Sequence, residues 1–124
     1  AAVSIHADGS AAGNRGFHVI VPGTVRSGNA DTAAITGPSL SLGKQLRKHF
    51  AAATSQPYAN YYGGSGLVVR TDLGGLNLSR VPKVFIECGN MRNSAEAAKL
   101  RSPQWRQDAA EGIAKGVAAF LAGG

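Results

Sequence analysis

The chain has 124 residues, 44% of them hydrophobic, enough for one domain with a real core, and no run approaches the ~18 consecutive apolar residues of a membrane-spanning helix. A single cysteine, Cys88, excludes an intrachain disulfide and a cysteine-built zinc module. Thirteen lysines and arginines against seven acids give a formal charge of +6, which favours an anionic partner; the basic residues are scattered from Arg15 to Lys115 without interleaved aromatics, which argues against nucleic acid as that partner.

Val3–His6 reads as a buried strand that ends in an ionisable ring, and the glycine-rich "ADGSAAGNRG" after it breaks any regular element. "GFHVIVPG", residues 16–23, predicts a second strand stopped by Pro22. Residues 24–37 lack periodicity and predict an exposed loop or lid. Pro38 in a first helical turn, followed by Leu42, Leu46, Phe50 and Ala53, predicts an amphipathic helix over 38–54 with Lys44, Arg47 and Lys48 outside. "SQPYANYYGGSG", residues 55–66, holds all three tyrosines and predicts a loop that either faces a ligand or caps the helix. Leu67–Arg70 reads as a short strand.

"KVFIEC", residues 83–88, is the strongest strand signal: Val84, Phe85 and Ile86 run without alternation, as in a central strand buried on both faces of a parallel sheet. Asn93 with Glu96 three residues on resembles a capping box and opens a helix through Leu100. Ser102 and Pro103 open the last helix, whose apolar face carries Trp105, Ala109, Ile113, Val117, Phe120 and Leu121. Gly112 and Gly116 are expected to let that helix approach the sheet. The pattern predicts α/β architecture, a mostly parallel sheet flanked by helices, in one domain over 1–124. Because domains rarely begin inside a buried strand, a segment carrying any targeting peptide is expected before Ala1.

In such sheets reactive groups collect at the carboxyl ends of strands, and His6 and Glu87 hold that position. A carboxylate ending an apolar strand needs a compensating partner, either a salt bridge to one of the basic residues or a catalytic setting. A lone strand-end histidine is by itself more often a hydrogen-bonded structural residue than a ligand. Asp8 and Asp72 read as structural or substrate-facing, with no strand placing them beside His6. His18 and His49 are not assigned as ligands, and Cys88 reads as a small core hydrophobe.

The strings "VSIHADGSAAGNRGFHV" and "RTDLGGLNLSRVPKVFIECGNMRNSAEAAKLRSPQWRQDAAEGIAKGVAAFL" resemble the zinc-dependent N-acetylmuramoyl-L-alanine amidases, most closely their mycobacterial and actinobacterial members. The resemblance runs from Val3 to Leu121 and is most specific in "SIHAD" and "VFIECGNMRN". It implies that His6 is a zinc ligand and Glu87 the catalytic glutamate. It also implies a second histidine in a "DPGH"-type motif and a helix-borne glutamate ligand, which this chain lacks and which are expected upstream of Ala1, in the chain itself or in an associated N-terminal piece. The chain then reads as the C-terminal portion of a catalytic domain, inactive and poorly stable alone. A second departure is Cys88, where relatives often carry leucine or another small or apolar residue.

The chemistry implied is cleavage of the amide between the lactyl group of N-acetylmuramic acid and L-alanine of the stem peptide. Zinc lowers the pKa of a water from 15.7 to ~7 and polarises the carbonyl, and one carboxylate serves as base and then acid, so no serine or cysteine nucleophile is required. Peptidoglycan is then the substrate, Arg70 or Arg92 are candidates to face its peptide carboxylates, and the location is secreted, periplasmic or cell-wall associated. Two other readings stay open from the residues: a non-catalytic wall-binding module that kept the fold, and a zinc peptidase acting on peptide bonds.

Overall fold

The computed structural model describes all residues, Ala1–Gly124. In chain order the elements are β1 (Ala2–Asp8), β2 (His18–Pro22), β3 (Arg26–Ser27), β4 (Ala30–Asp31), α1 (Thr36–Thr54), β5 (Leu67–Arg70), α2 (Gly74–Asn77), β6 (Lys83–Asn90), α3 (Ser94–Arg101) and α4 (Pro103–Leu121). The main sheet runs β1-β6-β2-β5. β1 is parallel to β6 and β2 to β5, but β2 and β6 are antiparallel. The expected α/β sheet flanked by helices is present, with an antiparallel seam at its centre. No helix is long and apolar enough to cross a membrane.

The core lies on one face. Phe17, Val19 and Val21 of the β2 segment, Val84, Ile86 and Cys88 of β6, Leu42, Leu46 and Phe50 of α1, and Ala109 and Ile113 of α4 form a single buried cluster. β6 is central, as its sequence predicts, but it is not buried on both faces: Val84, Ile86 and Cys88 are buried while Lys83, Phe85 and Glu87 alternate with them as half-buried residues. The long helices cover only one side; the other is met by the four-residue α2 around Leu76 and by the tyrosine loop. A run of three apolar residues therefore concealed period-two alternation, because Phe85 is apolar on the half-covered face.

β1 also departs from expectation. It is one of the two edge strands, pairs only with β6, and leaves Ile5 62% exposed. Residues 24–37 are not a plain loop: β3 and β4 form a small antiparallel hairpin, and the buried Thr32 hydroxyl behind it donates to Gly23 O (2.7 Å) and accepts from Val25 N (2.7 Å). α1 begins at Thr36, with Pro38 in its first turn where backbone N–H groups lack helical partners anyway. Gly112 and Gly116 bring α4 onto α1 rather than onto the sheet. A Cβ at Gly116 would lie 2.9 Å from Leu46 Cα, and one at Gly112 3.0 Å from His49 O. The close approach to the sheet belongs instead to Gly43 of α1, where a Cβ would lie 2.6 Å from Val21 Cγ1. Leu121, assigned to the apolar face, is 69% exposed as the last residue of α4.

Candidate active site

Strand register assembles the site. His6 of β1 stands opposite Glu87 of β6, and Glu87 stands opposite His18 of β2, so the three form one row across the sheet. Directly opposed residues point to the same face. That face is the one the long helices do not cover. The row falls in the carboxyl-terminal halves of β1 and β6, which run on past His6 to Asp8 and past Glu87 to Asn90 rather than ending there as expected, but at the amino end of β2, because of the antiparallel seam.

Glu87 is half-buried, and one carboxylate oxygen, Oε2, is fully buried with no hydrogen-bond partner. Burial and, second, the negative charge of Asp8 push its carboxyl up to about 7, with Arg70 pulling the other way. The salt bridges of the chain are Arg26–Asp31, Arg70–Asp72 and Lys99–Glu96, so Glu87 does not have the ion-pair partner that the structural reading of the sequence assigned to it. His6 is exposed and its ring lies 5.0 Å from that of Phe85.

His18 is 2% exposed, its Nδ1 is buried without a partner, and its ring is held between Tyr61 (5.8 Å, edge-on) and Tyr62 (4.7 Å). Burial lowers its pKa, against the attraction of Asp8, so the ring is held neutral. The Tyr61 hydroxyl donates to Asp8 Oδ2 at 2.8 Å, and desolvation with that bond raises the phenol pKa. The tyrosine loop therefore faces the site. Asp8, which the sequence reading kept away from His6, ends the same strand across a register shift and joins the cluster. Asp72 does not: it is exposed and binds Arg70 through two hydrogen bonds of 2.9 and 2.7 Å. Arg70 bears electrostatically on both Glu87 and His18. Arg92 is exposed beyond β6, and His49 lies on α1 against α4, outside the cluster. Cys88, on the opposite face of β6, is a core residue whose thiol burial pushes up to about 12.

A buried carboxylate holds the ends of these strands together. Asn93 caps α3 as predicted, accepting from Ala95 N and Glu96 N, but Glu96 does not complete a capping box. It turns inward, 3% exposed, and accepts from Gly16 N (2.7 Å), Asn90 N (3.1 Å) and Gln56 Nε2 (2.5 Å). This ties the start of β2, the end of β6 and the loop after α1 to one side chain. Gly16 is required there: its φ is +101° and a Cβ would lie 2.5 Å from Tyr58 O.

His18, Tyr61, Tyr62 and Asp8 are the members of this cluster that sequence reasoning did not assign. The signal for His18 was present in "GFHVIVP": Phe17, Val19 and Val21 alternate with His18 and Ile20, which puts the histidine on the face away from the core. No group of three or more His, Cys, Asp or Glu side chains in the chain converges to hold a metal ion. One side chain fits a corner of a metal centre, the exposed imidazole of His6, and it stands beside a carboxylate with an unpartnered oxygen.

Residues 1–119 match the Amidase_3 family, N-acetylmuramoyl-L-alanine amidase. The chain is 43% identical over 122 residues to N-acetylmuramoyl-L-alanine amidase Rv3717 of Mycobacterium tuberculosis, covering 98% of this chain and 48% of that protein. It is similar in structure to the N-acetylmuramyl-L-alanine amidase Ami1 of Mycobacterium smegmatis (TM-score 0.87, 42% identity, 99% of this chain and 55% of that one). The apo form of Ami1 from Mycobacterium abscessus is similar too (TM-score 0.84, 41% identity, 97% and 54%). The chain thus spans about half the length of these relatives. By the match over residues 1–119 and the identity to Rv3717, the chain belongs to the N-acetylmuramoyl-L-alanine amidase family.

Proposed function

We propose that the chain forms the C-terminal portion of a zinc-dependent amidase that hydrolyses the bond between N-acetylmuramic acid and L-alanine in peptidoglycan. It would act in the cell wall, as a secreted, periplasmic or wall-associated protein. One observation carries the reading: His6 and Glu87 stand opposite each other on the open face of the β1–β6 pair, and Glu87 keeps a buried, unpartnered oxygen without an ion pair. His6 would be this chain's single zinc ligand, with the others contributed by residues outside these 124. Zinc, when bound, supplies Lewis acidity that acidifies water and polarises the scissile carbonyl.

The chain's own residues supply proton transfer and positioning. Glu87, with its carboxyl pushed up to about 7, holds both protonation states near neutral pH; that is the condition for taking a proton from the attacking water and returning it to the departing amine nitrogen. Arg70 adds positive charge on the same side, favourable for an anionic stem peptide. Tyr61 and Tyr62 wall the site next to His18.

The test is Glu87→Gln and Glu87→Ala in the intact protein, with zinc content and hydrolysis of a muramyl peptide measured on the same preparations. Zinc should stay bound while turnover falls by about 10²–10⁴-fold, the usual loss for a general acid–base residue. Turnover close to wild type would overturn the assignment. Loss of zinc together with activity would make Glu87 a ligand instead.

A further inference from the structure

His18 has no part in the proton transfer just described, yet its placement is hard to reconcile with simple packing. It is one of the most buried side chains of the chain, and it lies on the open face, outside the apolar cluster that holds its neighbours Phe17 and Val19. A leucine or phenylalanine would fill that space without leaving a polar atom unpaired, whereas buried polar atoms are in general hydrogen-bonded. His18 Nδ1 and Glu87 Oε2 are both buried and both unpartnered, and their residues are directly opposed in the antiparallel β2–β6 register. Opposed residues have Cβ atoms about 5 Å apart, within hydrogen-bonding reach of these two side chains. Two complementary orphans on adjacent strands point to one missing bond.

We propose that His18 is a positioning residue for Glu87: in the working site the neutral imidazole donates from Nδ1–H to Glu87 Oε2, fixing the carboxyl so that Oε1 faces the reacting atoms. The surroundings favour this bond. Tyr61 and Tyr62 hold the ring on two sides, and Tyr61 is itself anchored to Asp8, so the imidazole has little freedom to turn away from Glu87. The other charged or titratable groups facing the pair are His6 and Asp8 from β1 and Arg70 from β5, and none of them bonds either orphan atom. The link leaves Oε1 free to gain and lose a proton, so it is compatible with the acid–base role on which the inference rests; because a donor favours the charged carboxylate, it lowers the Glu87 pKa from the value that burial gives it.

Three substitutions and one spectroscopic measurement on the intact protein test it. Asparagine places a donor nitrogen near the position of Nδ1, glutamine near that of Nε2, and leucine fills the space with no donor. His18→Leu should lower kcat by about 10- to 100-fold, the range for residues that orient a functional group. KM and zinc content should change little. His18→Asn should recover most of that loss and His18→Gln should not. Nitrogen-15 shifts of the His18 ring should show a neutral imidazole protonated at Nδ1, with that resonance displaced in Glu87→Gln. Full kcat in a folded His18→Leu variant, or a ring protonated at Nε2 alone, would overturn the proposal. If the intact protein cleaves no muramyl amide, the functional reading fails, and the tautomer still decides whether the His18–Glu87 link exists.

Discussion

At the scale of single residues, the site is defined by charge placed where water is scarce. Glu87 acquires its high carboxyl pKa from burial first and Asp8 second, and a group whose pKa is raised on folding favours the folded state while it stays protonated. The sign follows: its contribution is fully present below about 4.5, the ordinary value, and is lost as pH rises through about 7. Glu87→Gln, which keeps the shape and removes the charge, should therefore raise the melting temperature of the metal-free chain at pH 8 and leave it nearly unchanged at pH 4. Thermal unfolding of both forms across that range checks this. A constant difference at every pH would mean that the carboxyl is not desolvated. Glu96 is the contrasting case: it is more deeply buried than Glu87, yet it accepts three hydrogen bonds and approaches Lys99 at 3.9 Å. Similar carboxylates thus meet opposite surroundings: Glu96 is satisfied by its hydrogen bonds, while Glu87 keeps a buried oxygen without a partner.

At the scale of elements, the α1–α4 pair supports the covered face of the sheet, and glycines set its spacing. Gly43 brings α1 against β2, and Gly112 and Gly116 bring α4 against the α1 backbone. A side chain at Gly116 meets backbone at Leu46 Cα and Gln45 O, which cannot swing aside as a flexible side chain can. Gly116→Val is accordingly expected to destabilise the fold by about 1–3 kcal/mol, the usual range for overpacking. Gly37, in the first turn of α1 with open space around it, is the control: Gly37→Ala should be neutral or slightly stabilising, by less than about 1 kcal/mol. Chemical denaturation of the two variants measures both effects, and equal stability of the two would show that the helices can separate without cost.

At the scale of the whole molecule, the weak side is the β1 edge. β1 has a partner on one side only, and beside it an apolar groove of about 340 Å³ runs between the strand and α4, lined by Ile5, Ala7, Cys88, Leu100, Trp105 and Ala109. Trp105 Nε1 is buried in the same region without a partner. Unpaired strand edges next to apolar surface promote association. The 124-residue chain in isolation should self-associate with increasing concentration, and Ile5→Lys, which puts a charge on the exposed edge, should shift it toward monomer. Sedimentation velocity over a concentration series reads this directly; a monomer at all concentrations, with or without the lysine, would show that the edge is protected.

Much of this was legible in the chain itself. Local chemistry sufficed for the helix starts at Asn93 and Ser102, for the β2, β5 and β6 strands and for the central place of β6, since caps and apolar runs depend on neighbours a few positions away; singling out His6 and Glu87 needed the family resemblance as well. What the tertiary structure decided depends on pairing between distant segments. Only the antiparallel seam brings His18 from the start of β2 to the side of Glu87, where a wholly parallel sheet would have put it at the opposite end. Only the third dimension turns Glu96 from a helix cap into the tie between β2 and β6, sets Gly112 and Gly116 against α1, and exposes Ile5 on an edge. The physical reason is the same in each case: propensity and capping act within a few residues, whereas register, strand direction and burial are set by which remote surfaces meet.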